Sequence, residues 1–241
     1  MTNQVIISKE TIKRLVKDVK ELKNNSLGSH GIFYEHDDSD ILKGRAVIIG
    51  SEKTPYFAGF YFFLFKFPSD YPFSPPYVTI CSNGDKIRMN PNLYTNGKVC
   101  ISILNTWSGE QWSSCQSISS VLLNLKTLLC ADPFLNEPGV TKLNREFENY
   151  TKIIEYKNIE ICIFHMIKKN KPYYNNEFDC FEKIIHESFE SNCEKVKEFI
   201  LSKIQENPQP QTIHHRFYSM DVVIDYQKLL LSFPDSVTMK A

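Results

Sequence analysis

The chain carries no excess charge of either sign: 28 Lys and Arg stand against 28 Asp and Glu in 241 residues. Nucleic-acid binders usually carry a basic surplus, so that class is set aside. No apolar run approaches the length that spans a bilayer, and the opening "MTNQVIISKE" lacks the charged-then-apolar layout of a secretory signal. No membrane partner is expected. The seven cysteines, at 81, 100, 115, 130, 162, 180 and 193, include no C-x-x-C pair. An odd number without paired spacing is neither a disulfide framework nor a zinc-ligand set. The six histidines offer one close pair, His214-His215, and none falls between His36 and His165. A metal site is therefore not expected. Internal repeats and low-complexity tracts are absent too. These absences leave a soluble protein of a reducing compartment, cytoplasmic or nuclear as well, with thiols free for chemistry.

What is present is ample material for a core: 42% hydrophobic residues, with seventeen Phe and twelve Tyr. The length fits one core domain plus an extension. Residues 8–24 read as a helix with Ser8 as N-cap. Ile12, Leu15, Val16, Val19 and Leu22 share one face at helical spacing. Lys13, Arg14, Lys17 and Lys20 occupy the other, which is either solvated surface or a docking face for an acidic partner. Four strand signals follow in order: 31–38, 41–50, the aromatic run 55–68, and 76–84. Their hairpin spacing predicts an antiparallel meander rather than a parallel sheet. Between the last two lies "FPSDYPFSPPYV" (67–78), with four prolines in twelve residues. Proline fixes φ and has no N–H, so this is a stiff extended connection. It either presents Phe73 to a partner or uses it to cover the sheet end.

"ISSVLLNLKTLLC" (118–130) predicts a buried central helix, "ADPFLNEPG" (131–139) a loop, and residues 148–169 another helix. In 178–206 Phe181, Ile185, Phe189, Cys193, Val196, Ile200 and Ile204 form one stripe, expected to pack on the core. "NPQPQ" (207–211) reads as a loop and 220–233 as a further short helix.

The chemistry concentrates in "NPNLYTNGKVCISIL" (90–104). Two turns deliver Cys100 into a short apolar run, eight residues after Asn92. Taken alone, a cysteine is usually a small buried hydrophobe. As a nucleophile it is both a good attacking and a good leaving group, which splits one hard amide synthesis into two exchange steps. That use calls for a thiol at the surface, reachable by a large partner.

In order, "FPSDYPFSPPYV", "NPN", "GKVCISIL", a Trp-Ser loop and a Leu-rich helix resemble the ubiquitin-conjugating enzymes over roughly residues 8–170. "NPNLYTNGKVCISILNTWSGEQWS", "SISSVLL", "NEPG" and "DYQKLL" look most like the Z-type branch. The resemblance implies an α+β fold: an N-terminal helix, a four-stranded antiparallel meander, central and C-terminal helices, and a helical C-terminal extension. It divides the chain into a catalytic core, 1–170, and an extension, 171–241, packed upon it.

It further implies that Cys100 accepts ubiquitin, or a ubiquitin-like protein, as a thioester from an activating enzyme and passes it to a substrate lysine or a ligase. No cofactor is held; ATP is used by the activating enzyme. Asn92 matches the family asparagine that donates to the thioester oxygen, or it holds its own loop. Asn90, where most members have His, is read as scaffold. Glu137 falls, with one residue inserted, where an acid orients or deprotonates the incoming lysine; Asp132 is the alternative. Phe73, Trp112, Ser113 and Ser114 correspond to the ligase face, and Lys13, Arg14 and Lys17 to the face for the activating enzyme. The loop 105–111 is about four residues longer than in small members, and Trp112-Ser113-Ser114 replaces Trp-Ser-Pro, which points to a narrower set of ligases. Residues 171–241 are expected to set which activating enzyme or modifier is accepted. Two rival classes remain: a catalytically silent ubiquitin-binding scaffold of the same fold, and a thiol hydrolase, which would need a histidine base brought from far along the chain.

Overall fold

The computed structural model describes residues 7–82 and 84–234. Helix α1, Lys9–Asn24, is capped as its sequence predicts: Ser8 Oγ accepts the Thr11 amide at 3.0 Å. Its inward face differs from the expected one. Thr11, Leu15 and Asp18 are buried, Val19 and Leu22 pack at the margin, and Ile12 and Val16 are exposed. Short polar groups take the inward positions because each finds a partner in the proline loop. The Thr11 hydroxyl donates to Ser69 O at 2.8 Å, and the Asp18 carboxylate accepts from the Tyr71 hydroxyl and from Arg14 Nε. Burying them is tolerable only because they are bonded.

Strands β1 (Ile32–His36), β2 (Lys43–Ile49), β3 (Phe60–Lys66) and β4 (Tyr77–Ile80) form the expected antiparallel meander in the order β1-β2-β3-β4. Ala46 sits opposite Phe63, and Phe63 opposite Ile80. The third strand begins later than position 55, because Ala58 turns the chain with φ +59° and Tyr56 is drawn inward. Its residues do not alternate in exposure: Phe60, Tyr61, Phe62, Phe63 and Phe65 are all buried. A run buried on both faces needs cover on both. Tyr34, beside Phe65, lies on the side of α1, whose Asp18 it feels. On the opposite side Phe62 stacks on Phe178 at 4.5 Å between centroids and meets Tyr174 edge-on. The segment around Phe178, Asn176–Phe181, is a tight 3₁₀ turn leading into the helix that starts at Glu182.

Helix α2, Ile118–Leu128, is the buried central helix, capped by Ser117 and Ser120 reciprocally. Helix α3, Phe147–Lys157, continues as a wider π-helical stretch, Asn158–His165. Asn158 begins that stretch, accepting from Tyr61 Oη at 2.7 Å and donating to Phe57 O at 2.9 Å. Helix α4, Glu182–Glu206, lays Ile185, Phe189, Val196 and Ile200 against the rest of the chain, the stripe its period predicts.

Residues 220–233 are not one helix. Met220–Ile224 is strand β6, pairing antiparallel with β5, Gln211–His215, and only Tyr226–Leu231 is helical, as α5. Met220, Val222 and Ile224 are buried while Asp221 and Val223 face out. That two-residue alternation, with three β-branched side chains in a row, overrides the helical reading. The hairpin tip brings His215 and Tyr218 onto the rings of Phe134 and Tyr150.

Two outcomes follow from this packing. Phe178→Ala uncovers the outer sheet face and lowers the unfolding free energy by about 3–5 kcal/mol in denaturant titration. His36, His165 and His215 have their pKa lowered by burial, for His215 against the opposing pull of Glu146. The unfolded chain therefore takes up protons first as pH falls below about 6.5. Stability is full above that pH and is lost as pH falls toward the folded-state values. The melting midpoint is expected to drop between about pH 7 and about pH 5, and His215→Phe to remove part of that drop.

Candidate functional site

The site is built by a tight turn and a buried asparagine. The turn closes by Gly97 N on Tyr94 O at 2.9 Å. Gly97 has φ +90°, and a Cβ there would come within 2.8 Å of the Thr79 side chain. Glycine is therefore required where the chain reverses toward Cys100. Beyond the turn, Cys100 N donates to Asn92 O at 2.9 Å, and Asn92 Nδ2 donates to Cys100 O at 2.7 Å. The two residues singled out in the sequence are thus tied in both directions. The other side-chain atom of Asn92, Oδ1, is buried without a partner.

Asn90 is wholly buried, and its amide is fully used. Nδ2 donates to Tyr56 Oη at 2.9 Å and to Leu128 O at the end of α2 at 2.7 Å; Oδ1 accepts Asn92 N at 2.9 Å. It is scaffold, as its turn chemistry predicts.

The expectation of a surface thiol is corrected. Cys100 is 3% exposed, and its Sγ–H donates to Thr106 O at 2.8 Å. The cause is the long loop after the cysteine. Asn105, at φ +56°, turns the chain back, a conformation asparagine tolerates. The Thr106 hydroxyl then bonds three backbone groups on either side of the thiol: it donates to Val99 O and Ile101 O and accepts from Ile101 N. The carbonyl of Thr106 closes the sulfur. The residues that follow Thr106 are exposed loop: Trp107, Ser108, Gly109, Glu110 and Gln111.

Trp112 stitches this loop to the proline loop. Its amide donates to Asn105 Oδ1 at 2.9 Å and its Nε1 to Pro72 O at 2.7 Å, beside the ring of Tyr71. Phe73, next in sequence to that carbonyl, is 72% exposed, and Ser113 and Ser114 are exposed. Phe73 therefore lies on one of the two stitched loops, and Trp112, Ser113 and Ser114 on the other. Arg14 departs from the solvated face on which the helical period placed it. Its guanidinium donates to Ser114 O and Gln116 O and is largely covered. Lys13 and Lys17 remain exposed on α1, with Lys17 3.7 Å from Glu21. Ile12 and Val16, also exposed on α1, add apolar surface.

Glu137 lies just past a short turn, Pro133–Asn136, half-buried, and its carboxylate accepts from the Tyr218 hydroxyl. Asp132 is engaged elsewhere, 2.7 Å from Lys142 Nζ. Thr106, Arg88 and Tyr218 were not legible as site residues: a loop threonine and a hairpin tyrosine carry no motif, and only the place of Arg88 just before "NPN" was a signal. Among the described residues no group of His, Cys, Asp and Glu could hold a metal ion, and no helix is long and apolar enough to cross a membrane.

A helix–meander–helix core carrying a cysteine tied to an asparagine eight residues earlier is a ubiquitin-conjugating domain. The sequence pattern described as ubiquitin-conjugating enzyme matches residues 14–163, and the chain belongs to that family. Within it the chain sides with the Z branch. It is 38% identical over 164 residues to Ubiquitin-conjugating enzyme E2 Z of Xenopus tropicalis, covering 67% of this chain and 52% of that protein. To Ubiquitin-conjugating enzyme E2 Z of Homo sapiens it is 36% identical over 204 residues, covering 83% of this chain and 56% of that protein. It also resembles the human Dual E2 ubiquitin-conjugating enzyme/E3 ubiquitin-protein ligase BIRC6, at 35% over 176 residues, 67% of this chain and 3% of that protein. The chain spans about half the length of the E2 Z relatives it matches.

The Thr106 cover is open to a direct test. Thr106→Ala removes the hydroxyl bonds that hold it, each worth about 0.5–1.5 kcal/mol. Alkylation of Cys100, followed by peptide mass spectrometry against the other cysteines, is expected to speed up about tenfold. An unchanged rate would mean that the carbonyl does not limit access.

Proposed function

We propose that the chain carries ubiquitin, or a ubiquitin-like protein, on Cys100 and transfers it to an amine. The observation that carries this reading is the two-way tie between Cys100 and Asn92, at 2.9 and 2.7 Å. It holds an amide donor against the very residue that would bear the acyl group.

In the first step the Cys100 thiolate attacks the carbonyl of the modifier's C-terminal thioester on the activating enzyme. A carbon–sulfur bond forms to Cys100, and the donor cysteine leaves as a thiolate. Loading requires the Thr106 carbonyl to move aside and the Cys100 thiol to lose its proton, which is balanced by the proton that the departing donor thiolate takes up. In the second step a neutral lysine amine attacks the same carbonyl. The carbon–nitrogen bond forms, the carbon–sulfur bond breaks, and the amine proton is passed on while Cys100 returns to the thiol. Negative charge collects on the carbonyl oxygen on the way, and Asn92 Nδ2, released from the Cys100 carbonyl, donates to it. A free lysine has a pKa near 10.4, so its amine is mostly charged at neutral pH. Glu137 orients that amine and draws its proton, sharing its carboxylate with Tyr218. The chain needs no cofactor of its own, since the activating enzyme spends the ATP.

Ligases would meet Phe73 and the stitched loops of Trp112, Ser113 and Ser114. The activating enzyme would meet α1 at Lys13 and Lys17, while Arg14 supports the ligase loop from behind. The hydrolase reading finds no support: the Cys100 thiol bonds a backbone carbonyl, that of Thr106.

The test is a loading reaction with activating enzyme, ATP and ubiquitin, resolved with and without reductant. The expected product is a conjugate that thiol removes and that Cys100→Ala does not form. Asn92→Ala should load nearly normally and discharge to free lysine about 10²–10³ more slowly. No thiol-sensitive conjugate with any activating enzyme or modifier would leave a silent scaffold; normal discharge by Asn92→Ala would remove Asn92 from catalysis.

A further inference from the structure

We propose that Arg88 is a positioning residue for Asn92, and that the C-terminal hairpin β5–β6 is part of the active site because it holds Arg88. The inference rests on the transfer reading given above. It begins from where Arg88 spends its donors. Nε donates to Asn90 O at 3.2 Å and an Nη donates to Pro91 O. These are the carbonyls of the two residues immediately before Asn92. One rigid guanidinium fork therefore fixes the backbone from which the Asn92 side chain projects.

The fork is itself held on two sides. Its carbon lies 3.3 Å from the centroid of the Tyr94 ring and 5.3 Å from that of Tyr218. Tyr94 belongs to the turn that leads to Cys100; Tyr218 belongs to the tip of the hairpin. A guanidinium between two aromatic faces is oriented by both. The Arg88 backbone is pinned as well: its N–H donates to Met220 Sδ at 3.3 Å, and its carbonyl accepts Tyr150 Oη at 2.8 Å. Met220 opens strand β6. Two contacts of Arg88, through Tyr218 and Met220, thus come from a hairpin more than a hundred residues further along the chain. The Tyr218 hydroxyl donates to Glu137, so the same residue touches both Arg88 and the carboxylate assigned to the amine.

Asn92 needs this support. Its Nδ2 is held by Cys100 O until transfer begins and its Oδ1 is buried without a partner, so once Nδ2 leaves that carbonyl the aim of the side chain rests on the backbone beneath it. A donor that is to meet a transient charge is effective only when it is already in place.

The experiment is single-turnover discharge of the preloaded full chain to free lysine. It compares wild type with Arg88→Ala, Asn92→Ala, the double variant and Tyr218→Ala, over a range of lysine concentrations. Arg88→Ala is expected to load with modifier and to discharge about tenfold more slowly at saturating lysine, with the half-saturating concentration unchanged. Tyr218→Ala should slow in the same manner by about threefold or more. The double variant should be no slower than Asn92→Ala alone, because a residue that acts only through Asn92 has nothing left to position. Arg88→Lys, which keeps the charge and reaches one carbonyl, should fall between wild type and Arg88→Ala and guards against a variant that fails to fold. Wild-type discharge by Arg88→Ala, or a double variant whose loss is the product of the two single losses, overturns the assignment of Arg88. Wild-type discharge by Tyr218→Ala overturns the role of the hairpin. Failure of the wild type itself to load would instead overturn the transfer reading from which the inference starts.

Discussion

The site depends on one buried amide. Asn90 has no exposed surface, and its side chain joins three parts of the chain: the loop of Asn92, the hydroxyl of Tyr56 and the last carbonyl turn of α2. Tyr56 passes the connection on to Met89 O at 2.8 Å. The Asn90 amide and the Tyr56 hydroxyl are out of water, and leaving either unbonded costs about 1–3 kcal/mol. The arrangement is therefore all or nothing, and it sets where Asn92 begins. The Cys100 turn, the Arg88 fork and the hairpin that steadies it are arranged around that fixed point.

The core of this architecture was legible in the residues. Apolar runs at hairpin spacing gave the meander, Ser8 marked the start of α1, and the stripe from Phe181 to Ile200 marked the buried side of α4. The order of proline loop, Asn-Pro-Asn and cysteine located the chemistry. What stayed hidden has physical reasons. Thr11 and Asp18 displace Ile12 and Val16 from the inner face of α1, because bonds to Ser69 and Tyr71 outweigh the helical period. The β6 run was hidden by the Leu-rich segment that follows it, which lengthens an apparent helix. Cover of Cys100 by Thr106 is a long-loop effect that no local pattern encodes. Tyr218 reaches Glu137 across 81 positions of sequence, and such a contact exists only once the hairpin has docked.

The extension also changes what the sheet can offer. An antiparallel sheet often leaves one face to solvent. Here Phe62 is capped by Phe178 and Tyr174, and Lys157, Asp85 and Tyr173 lock the rim beside it through bonds of 3.0 Å from Lys157 to Asp85 and a further bond from Tyr173 to the same carboxylate. The core and the described part of the extension thus share one apolar interior, and the chain itself covers the outer sheet face around Phe62, while Lys66, Tyr77 and Thr79 on that face stay exposed.

The closed cysteine has a consequence for life in a cell. A thiol lodged under a backbone carbonyl is shielded from peroxide and stray small electrophiles, whereas Cys115 and Cys180 stand exposed. Overoxidation of a thiol is irreversible beyond the sulfenic stage. On the transfer reading proposed above, the shelter would keep Cys100 reduced until a partner protein lifts the loop.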